Sequence, residues 1–399
     1  MILLKCYPTF YDVFNDFFGW NICVFKVFHS FGFFVALGFI TALWLLRIEL
    51  KRRERLGYIL PAKAKILAPT SIPYIDLLWT TGLGFIIGLK LPGIIFNDPL
   101  LCQSPKDFLF SFYGNNLTAG IVAAFLTILE YFNMKRRFAE APKSEVIVDL
   151  FPSQRVGAIL TIAVISGIGG AKLFYFFEKP SALVNIFNQS FEDFFSGLTI
   201  YGGLICAAIS ILVYAKWKKI PIGHLFDSLA PAFFIAYAIG RLGSHTAGDG
   251  DWGIVNNMPK PEWIPQFLWS NYYENNIINE CNPYVGVAAE KFTCSWNQLH
   301  RLAEPVFPTA LYETIMVSIL TYILWIIRKP LSSKPGLLVS IFFIFDGIER
   351  FLIESIRVNP REFLGNRLTQ AELIALIFIL LGVSLSGYLL FYYKKKQVP

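Results

Sequence analysis

Residues 240–253 read GRLGSHTAGDGDWG, and this stretch lies where an apolar run gives way to glycines, aspartates and a tryptophan. The apolar run begins near Leu225, so Arg241 falls about one helical turn inside a hydrophobic segment. An unpaired guanidinium at that depth would be costly. The glycines around it let another backbone or a ligand head group approach closely. The pattern predicts a binding site at Arg241, or alternatively an arginine that anchors a helix end at the membrane interface.

The composition predicts an integral membrane protein. Hydrophobic residues make up 55% of the 399 residues and charged residues only 16%, with 39 phenylalanines. Soluble domains contain about 25% charged residues. The net charge of +7 does not indicate nucleic-acid binding, because the basic residues form short clusters between apolar runs. Clusters of that kind set the orientation of membrane helices.

The hydropathy pattern predicts an all-α, polytopic membrane helix bundle with about nine transmembrane helices. The apolar segments lie near 24–46, 72–96, 114–133, 156–177, 198–216, 225–246, 307–327, 336–356 and 370–393. Basic clusters follow alternate segments, which predicts an N-terminus outside the cell and a cytoplasmic C-terminus. Residues 1–399 are expected to form a single integral membrane domain, with an extracytoplasmic loop at 247–306. No cleavable signal peptide is evident at the start of the chain.

Two smaller patterns leave alternatives open. Cys281 and Cys294 lie in the long outer loop and predict either a disulfide or two unrelated thiols. The segments GFIIGLKLPGIIF (84–96) and SGIGGAKLFYFF (166–177) each carry glycines followed by a lysine, which indicates either a duplicated element or glycine-mediated helix packing. No spacing typical of a metal site occurs, so neither a metal nor a cofactor is expected.

The eighth apolar segment carries a charged stripe. Asp346, Arg350, Glu354 and Arg357 are spaced four, four and three residues apart, which predicts that they share one face of a helix. A charged stripe on a membrane helix has to face the interior of the bundle, pair internally or line water. With Glu354 neutralising its neighbours only in part, the stripe and Arg241 predict a cationic pocket. Its natural ligand is an anion with apolar tails, a phospholipid head group.

At these residues the chain resembles the prolipoprotein diacylglyceryl transferases, bacterial membrane enzymes of lipoprotein maturation. The resembling segments are FHSFGFFVALGF (28–39), SGLTIYGGL (196–204), DSLAP (227–231), GRLG with GD and WG (240–253), FPTALYE (307–313) and RFLIESIR (350–357). Four positions depart from the family's usual residues. Tyr201 and Phe307 stand where the family has histidines, Ser244 where it has asparagine, and Asp249 where it has glutamate. The chain also has about two more apolar segments than is usual, which indicates a divergent branch.

The resemblance implies a transfer reaction in the bacterial inner membrane. The lipobox cysteine of a prolipoprotein would attack phosphatidylglycerol, form a thioether and release glycerol 1-phosphate, without a cofactor. The expected partners are phosphatidylglycerol, the prolipoprotein signal peptide and membrane lipids. Arg241 and Arg350 would hold the phosphate. His245, oriented by Asp249, would take the thiol proton in place of the missing histidine, and Tyr201 is the other candidate.

The same resemblance assigns lipid contacts to the residues that flank the expected phosphate site. These residues are Gly243, Ser244, Tyr312, Glu354 and Arg357, together with Arg241. The alternative function is a non-catalytic membrane protein of this descent that binds or moves phospholipid. That alternative would keep the arginines and need no proton acceptor, which the replacement of a family histidine by Tyr201 favours.

Overall fold

The structure is a computed structural model that describes residues 5–66, 74–140, 146–180, 199–248, 251–273, 302, 304–359, 363 and 367–397. Nine long helices in these ranges fall at the nine predicted apolar segments. They are α1 (Ser30–Arg55), α2 (Tyr74–Ile95), α3 (Asn116–Glu140), α4 (Val156–Glu178), α5 (Ile200–Trp217), α6 (Ile222–Ala247), α7 (Thr309–Ile327), α8 (Leu337–Glu354) and α9 (Gln370–Gln397). The predicted all-α membrane bundle is confirmed.

Seven of these helices are long and apolar enough to cross a membrane. The other two are α5, whose described apolar part is shorter, and α8, which carries the predicted charged stripe. Because the stripe places ionised groups on a helix otherwise rich in Leu, Ile and Phe, α8 needs partners inside the bundle. The orientation of the bundle and the number of helices that cross remain predictions.

Short elements connect the long helices. Helical turns occur at Phe10–Phe18, Pro99–Gln103, Pro105–Phe110 and Gln266–Trp269, with 3₁₀ turns at Cys23–Val27, Pro152–Gln154 and Pro330–Ser333. Strands β1 (Ala62–Ile66) and β2 (Val146–Leu150) pair antiparallel on either side of the α2–α3 hairpin. A disulfide joins Cys23 to Cys102, a pair that the sequence did not single out. Cys281 and Cys294 lie outside the described residues.

The α2–α3 and α4–α5 pairs repeat one packing pattern. Gly88 of α2 lies so close to α3 that an added Cβ would be 2.4 Å from the carbonyl oxygen of Thr118. Gly170 of α4 stands in the same relation to α5, where the corresponding distance to Gly202 is 2.7 Å. A lysine that is less than 10% exposed follows each glycine by two residues. Both pairs therefore show glycine-mediated helix packing, the second of the two alternatives that the sequence left open, and a duplication stays a prediction.

Helix α6 is the central element of the bundle, since it packs along both α1 and α7. It also fixes the start of α8. The carboxylate of Asp227 accepts hydrogen bonds from the backbone N–H groups of Gly336 and Val339, both at 2.9 Å. Asp227 thus caps the N-terminus of α8. The two helices therefore run in the same direction from a shared anchor, and Arg241 and Arg350 lie towards their far ends.

A second buried ion-pair network holds the anchored end of the bundle. Glu49 of α1 is fully buried and pairs with Arg53 at 2.9 Å, with Arg52 at 2.6 Å and with Arg328 at 3.0 Å. Nδ1 of His224, on α6, lies 2.8 Å from Nη1 of Arg53. One carboxylate thus compensates guanidiniums from α1 and from the end of α7. Without it, Arg328 would lose its ion pair among the described residues, and Arg53 would keep only a longer contact to Asp227, at 3.6 Å.

We expect Glu49→Ala to destabilise the bundle by about 3–5 kcal/mol, because uncompensated buried arginines are costly. The matched control is Glu140→Ala. Glu140 pairs with Arg136 on the surface of α3, where the two side chains are 66% and 79% exposed, so its loss should change little. Thermal unfolding in detergent micelles measures both. Equal melting temperatures for the two variants would contradict the assigned role of Glu49.

Candidate functional site

Three arginines surround one buried carboxylate at the far ends of α6, α7 and α8. Glu313 of α7 is fully buried, and its Oε2 lies 3.0 Å from Nε of Arg241. Its Oε1 lies 3.2 Å from Nη1 of Arg350 and 3.5 Å from Nη1 of Arg357. The hydroxyl of Tyr237 donates to the same Oε1 at 3.2 Å. Glu313 is therefore the point at which the three helices and the segment after α8 are joined electrostatically.

Asp251 forms a second bridge between two of these arginines. Its Oδ2 lies 2.6 Å from Nη1 of Arg241, and its Oδ1 accepts a hydrogen bond from Nη2 of Arg357 at 2.9 Å. Burial raises the pKa of the Asp251 carboxyl, but the charges of Arg241 and Arg357 outweigh burial and hold that pKa well below its ordinary value. Asp251 is therefore ionised and binds both guanidiniums.

The loop after α6 brings Asp251 to the arginines. Helix α6 ends at Ala247, and Gly248 caps it with a φ of +70°, a left-handed conformation that favours glycine. Gly253 then donates its backbone N–H to the carbonyl of Phe307 at 2.8 Å and pairs with Arg357 in a β-bridge. A Cβ at Gly253 would lie 2.6 Å from the carbonyl oxygen of Ile356. The close backbone approach explains why glycine follows Trp252.

Arg357 is not on the helical stripe that the sequence predicts. Helix α8 ends at Glu354, and Arg357 belongs to the extended segment that pairs with Gly253. The backbone pairing, rather than helical periodicity, brings its guanidinium to Glu313 and Asp251. Glu354 pairs with Arg350 at 3.1 Å and accepts a hydrogen bond from Asn359 at 2.5 Å. Glu354 does not pair with Arg357, although the spacing in the sequence predicts that pair.

We call Arg241, Asp251, Glu313, Arg350, Glu354 and Arg357 the arginine cluster. It contains three cations and three carboxylates, so it is balanced in formal charge, whereas the sequence predicts a cationic pocket. Among the described residues, these ion pairs use two of the three nitrogens of each guanidinium. Nε of Arg241 and Oε2 of Glu313 also make no well-aligned hydrogen bond. The carboxylates thus hold the arginines, and the third nitrogen of each guanidinium lies outside these ion pairs.

Two more residues that the sequence predicts, Tyr201 and Ser244, reach the arginine cluster. Tyr201 lies in the first turn of α5, within electrostatic range of Arg350, Glu354 and Asp346. Ser244 lies near the carboxylate of Asp251 and is only 4% exposed. The structure therefore brings Tyr201 and Ser244 together with Arg241, Arg350, Glu354 and Arg357.

Three further predicted residues make their described contacts outside the arginine cluster. His245 is 3% exposed, and its Nδ1 lies 2.9 Å from the hydroxyl of Tyr273, in an aromatic cluster beside the arginines. Gly243 packs against α1, where an added Cβ would lie 2.7 Å from Cβ of Phe34. The Tyr312 hydroxyl donates to the carbonyl of Leu268 at 2.5 Å and so holds the loop after α6. Asp249 lies outside the described residues.

Sequence reasoning missed three residues of the site. The sequence places Glu313 inside the seventh apolar segment and in the resembling segment 307–313 but does not reveal its role, and it does not point to Tyr237. The resemblance points to Asp249 rather than Asp251, because spacing alone does not show which aspartate of GDGDWG turns towards Arg241. Within the described ranges, no three His, Cys, Asp or Glu side chains converge in a way that could hold a metal ion.

Comparison with known proteins gives one consistent result. The family model for prolipoprotein diacylglyceryl transferase matches residues 99–388, which include the whole arginine cluster. Relatives with the name phosphatidylglycerol–prolipoprotein diacylglyceryl transferase occur in several bacteria. The one from Streptococcus uberis is 25% identical over 287 residues, covering 72% of this chain and 93% of the relative.

Two further relatives with that name match different lengths of the chain. The protein from Listeria monocytogenes is 27% identical over 288 residues, covering 72% of this chain and 88% of the relative. The protein from Clostridium novyi is 32% identical over 193 residues, covering 47% of this chain and 62% of the relative.

Asp251 makes the stability of the site dependent on pH. Because its pKa is lowered in the folded protein, its contribution is complete above about pH 4 and is lost as the pH falls below that value. We expect the melting-temperature advantage of the wild type over Asp251→Asn to be constant from pH 7 to about 5 and to shrink towards pH 3. Glu262→Gln, at an exposed position of the same loop, is the control. An advantage of Asp251 that grows on acidification would contradict the bridge.

Proposed function

We propose a reaction for this protein on the basis of its family, since the chain belongs to the prolipoprotein diacylglyceryl transferases. The reaction is transfer of the diacylglyceryl group of phosphatidylglycerol to the thiol of a lipobox cysteine in a prolipoprotein. The thiol sulfur forms a bond to the glyceryl carbon that carries the phosphate. The bond between that carbon and the phosphate oxygen breaks, the thiol proton passes to an acceptor, and glycerol 1-phosphate leaves.

The observation that carries this proposal is the convergence of Arg241, Arg350 and Arg357 around Glu313. When the carbon–oxygen bond breaks, negative charge grows on the phosphate of the leaving group. Guanidiniums that are already in place stabilise that charge without reorganising. Their planar N–H groups also match phosphate oxygens in pairs. The arrangement therefore suits a reaction whose leaving group is a phosphate monoester.

The carboxylates of the cluster act as positioning residues. Glu313 contacts all three guanidiniums, and Asp251 contacts two of them. They fix the planes of the arginines and reduce the cost of holding three cations close together. A balanced cluster also binds a phosphate less tightly in the ground state than a free arginine triad would. Binding energy is then available as the charge on the leaving group increases.

The location of the reaction follows from the helices. This is a multi-pass membrane protein, and we place it in the bacterial plasma membrane. There the basic clusters between the apolar segments orient the arginine cluster towards the outer face. Phosphatidylglycerol would reach the site from the lipid, and the prolipoprotein would present its cysteine at the same depth.

Tyr201 is the candidate for contact with the thiol proton. It stands where the family has a histidine, and it lies beside Arg350. His245 is placed instead against Tyr273 in the aromatic cluster. A free cysteine is mostly protonated at neutral pH, so the reaction needs a proton acceptor near the sulfur. We assign that contact to Tyr201, whose hydroxyl would take the thiol proton while passing its own proton to the neighbouring carboxylate of Glu354, and we assign a supporting role to His245.

The direct test is incubation of the purified protein with phosphatidylglycerol and a lipobox peptide, following release of glycerol phosphate and the gain in peptide mass. We expect equal amounts of both products. In the same assay Arg241→Lys should lower the rate about a hundredfold, because lysine keeps the charge but loses the paired donors. Arg136→Lys, on the exposed surface of α3, is the matched control. Binding of lipid without either product would refute the transferase proposal.

Tyr201→Phe and His245→Ala should distinguish a residue that takes part in the reaction from one that stabilises the fold. We expect Tyr201→Phe to melt like the wild type and to lose about a hundredfold in kcat. We expect His245→Ala to melt at a lower temperature, since it loses a buried hydrogen bond, and to retain kcat within about threefold once the folded fraction is counted. The reverse pattern would assign the proton acceptor to His245.

A further inference from the structure

A cavity of about 190 Å³ lies between α7 and α8, next to the arginine cluster. Its lining residues are Met316, Ile319, Leu320, Phe345, Ile348 and Glu349. Five of these side chains are apolar, and the sixth is a carboxyl group. None of them takes part in the ion pairs described above. The cavity is therefore a distinct feature with one polar group in an apolar wall.

Glu349 is an unusual residue at this place. It is 2% exposed, and its Oε1 has no hydrogen-bond partner among the described residues. Nor does any described cation lie within ion-pair distance of it, although Arg350 is the next residue in the chain. A buried polar atom without a partner is unfavourable. An unpartnered atom beside an open cavity indicates a ligand that supplies the missing hydrogen bond.

The cavity opens towards the membrane. Ile319 and Ile348 at its rim are 56% and 45% exposed on the outer surface of the helix pair. Helices that lie in a bilayer expose such surfaces to lipid rather than to water. A ligand that enters here therefore comes from the lipid phase and has an apolar part.

The depth of the cavity relative to the arginine cluster identifies that ligand more closely. Met316 follows Glu313 by three residues, about 4.5 Å along α7 at a rise of about 1.5 Å per residue. On α8, Glu349 directly precedes Arg350. A phospholipid with its phosphate on the arginines would place its ester-linked glycerol and the start of an acyl chain one helical turn further on, which is where the cavity lies.

We propose that Glu349 and its cavity bind the acyl-ester part of the phospholipid. The neutral carboxyl group donates a hydrogen bond to an ester carbonyl oxygen, and the apolar walls accommodate the beginning of the chain. The neutral form is the cheaper one to bury in apolar surroundings, and it is the form that can donate. This inference rests on the proposed function, since it places the phosphate of the same lipid on the arginine cluster.

The test compares ester-linked and ether-linked phosphatidylglycerol, because an ether lacks the carbonyl acceptor. Competition between the two lipids for the purified full-length protein is measured by native mass spectrometry. We expect the wild type to prefer the ester lipid about fivefold, the effect of one hydrogen bond. Glu349→Leu should abolish the preference. Glu349→Gln, which retains an N–H donor, should keep most of it.

Folding does not obscure this comparison. Replacing an unpartnered buried carboxyl group by leucine should leave the melting temperature unchanged or raise it. An unchanged ester preference in Glu349→Leu would overturn the inference, as would equal binding of both lipids by the wild type or loss of the preference in Glu349→Gln. The lipid-binding measurement does not require the enzyme to turn over. If the protein prefers the ester lipid but catalyses no transfer, the proposed function is refuted and this inference is not.

Discussion

A single buried carboxylate, Glu313, holds the site together. It lies within 3.5 Å of guanidinium nitrogens from α6, from α8 and from the segment that follows α8. Three arginines in an apolar bundle would repel one another and strongly disfavour burial if nothing compensated them. With Glu313 between them, Asp251 across two of them and Glu354 against Arg350, the same arginines become a set that is balanced in formal charge. The packing of the three helices at this end depends on that compensation.

The anchored end of the bundle, opposite the arginine cluster, helps to fix the geometry of that cluster. Asp227 of α6 caps the first turn of α8, and Glu49 of α1 pairs with arginines from two helices. The relative position of α6 and α8 is defined by Asp227 at this end and by Glu313, which contacts Arg241 and Arg350, several helical turns away. That position sets the spacing of Arg241 and Arg350. The charge network at one end is therefore a structural condition for the arginine cluster, the proposed phosphate site, at the other.

The helices and the choice of arginines were predictable, whereas the way the arginines are paired was not. The lengths of the apolar runs alone predict the membrane helices, because a helix that crosses a bilayer needs about 20 consecutive apolar residues. Arg241 and Arg350 stand out because charge is rare inside such runs. The positions of Arg357 and Asp251 depend on backbone pairing in a loop. A loop has no periodic pattern from which those positions could be predicted. The Cys23–Cys102 disulfide joins distant segments, and the contact of His245 with Tyr273 is likewise tertiary.

The most direct test of the central claim is an electron-microscopy structure of the protein bound to phosphatidylglycerol. We expect the phosphate group within hydrogen-bonding distance, about 2.7–3.2 Å, of Arg241 and Arg350, with Glu313 still between the arginines. Its neighbouring ester group should lie at the α7–α8 cavity. Phosphate density remote from all three arginines, with the cluster closed on itself, would contradict the account.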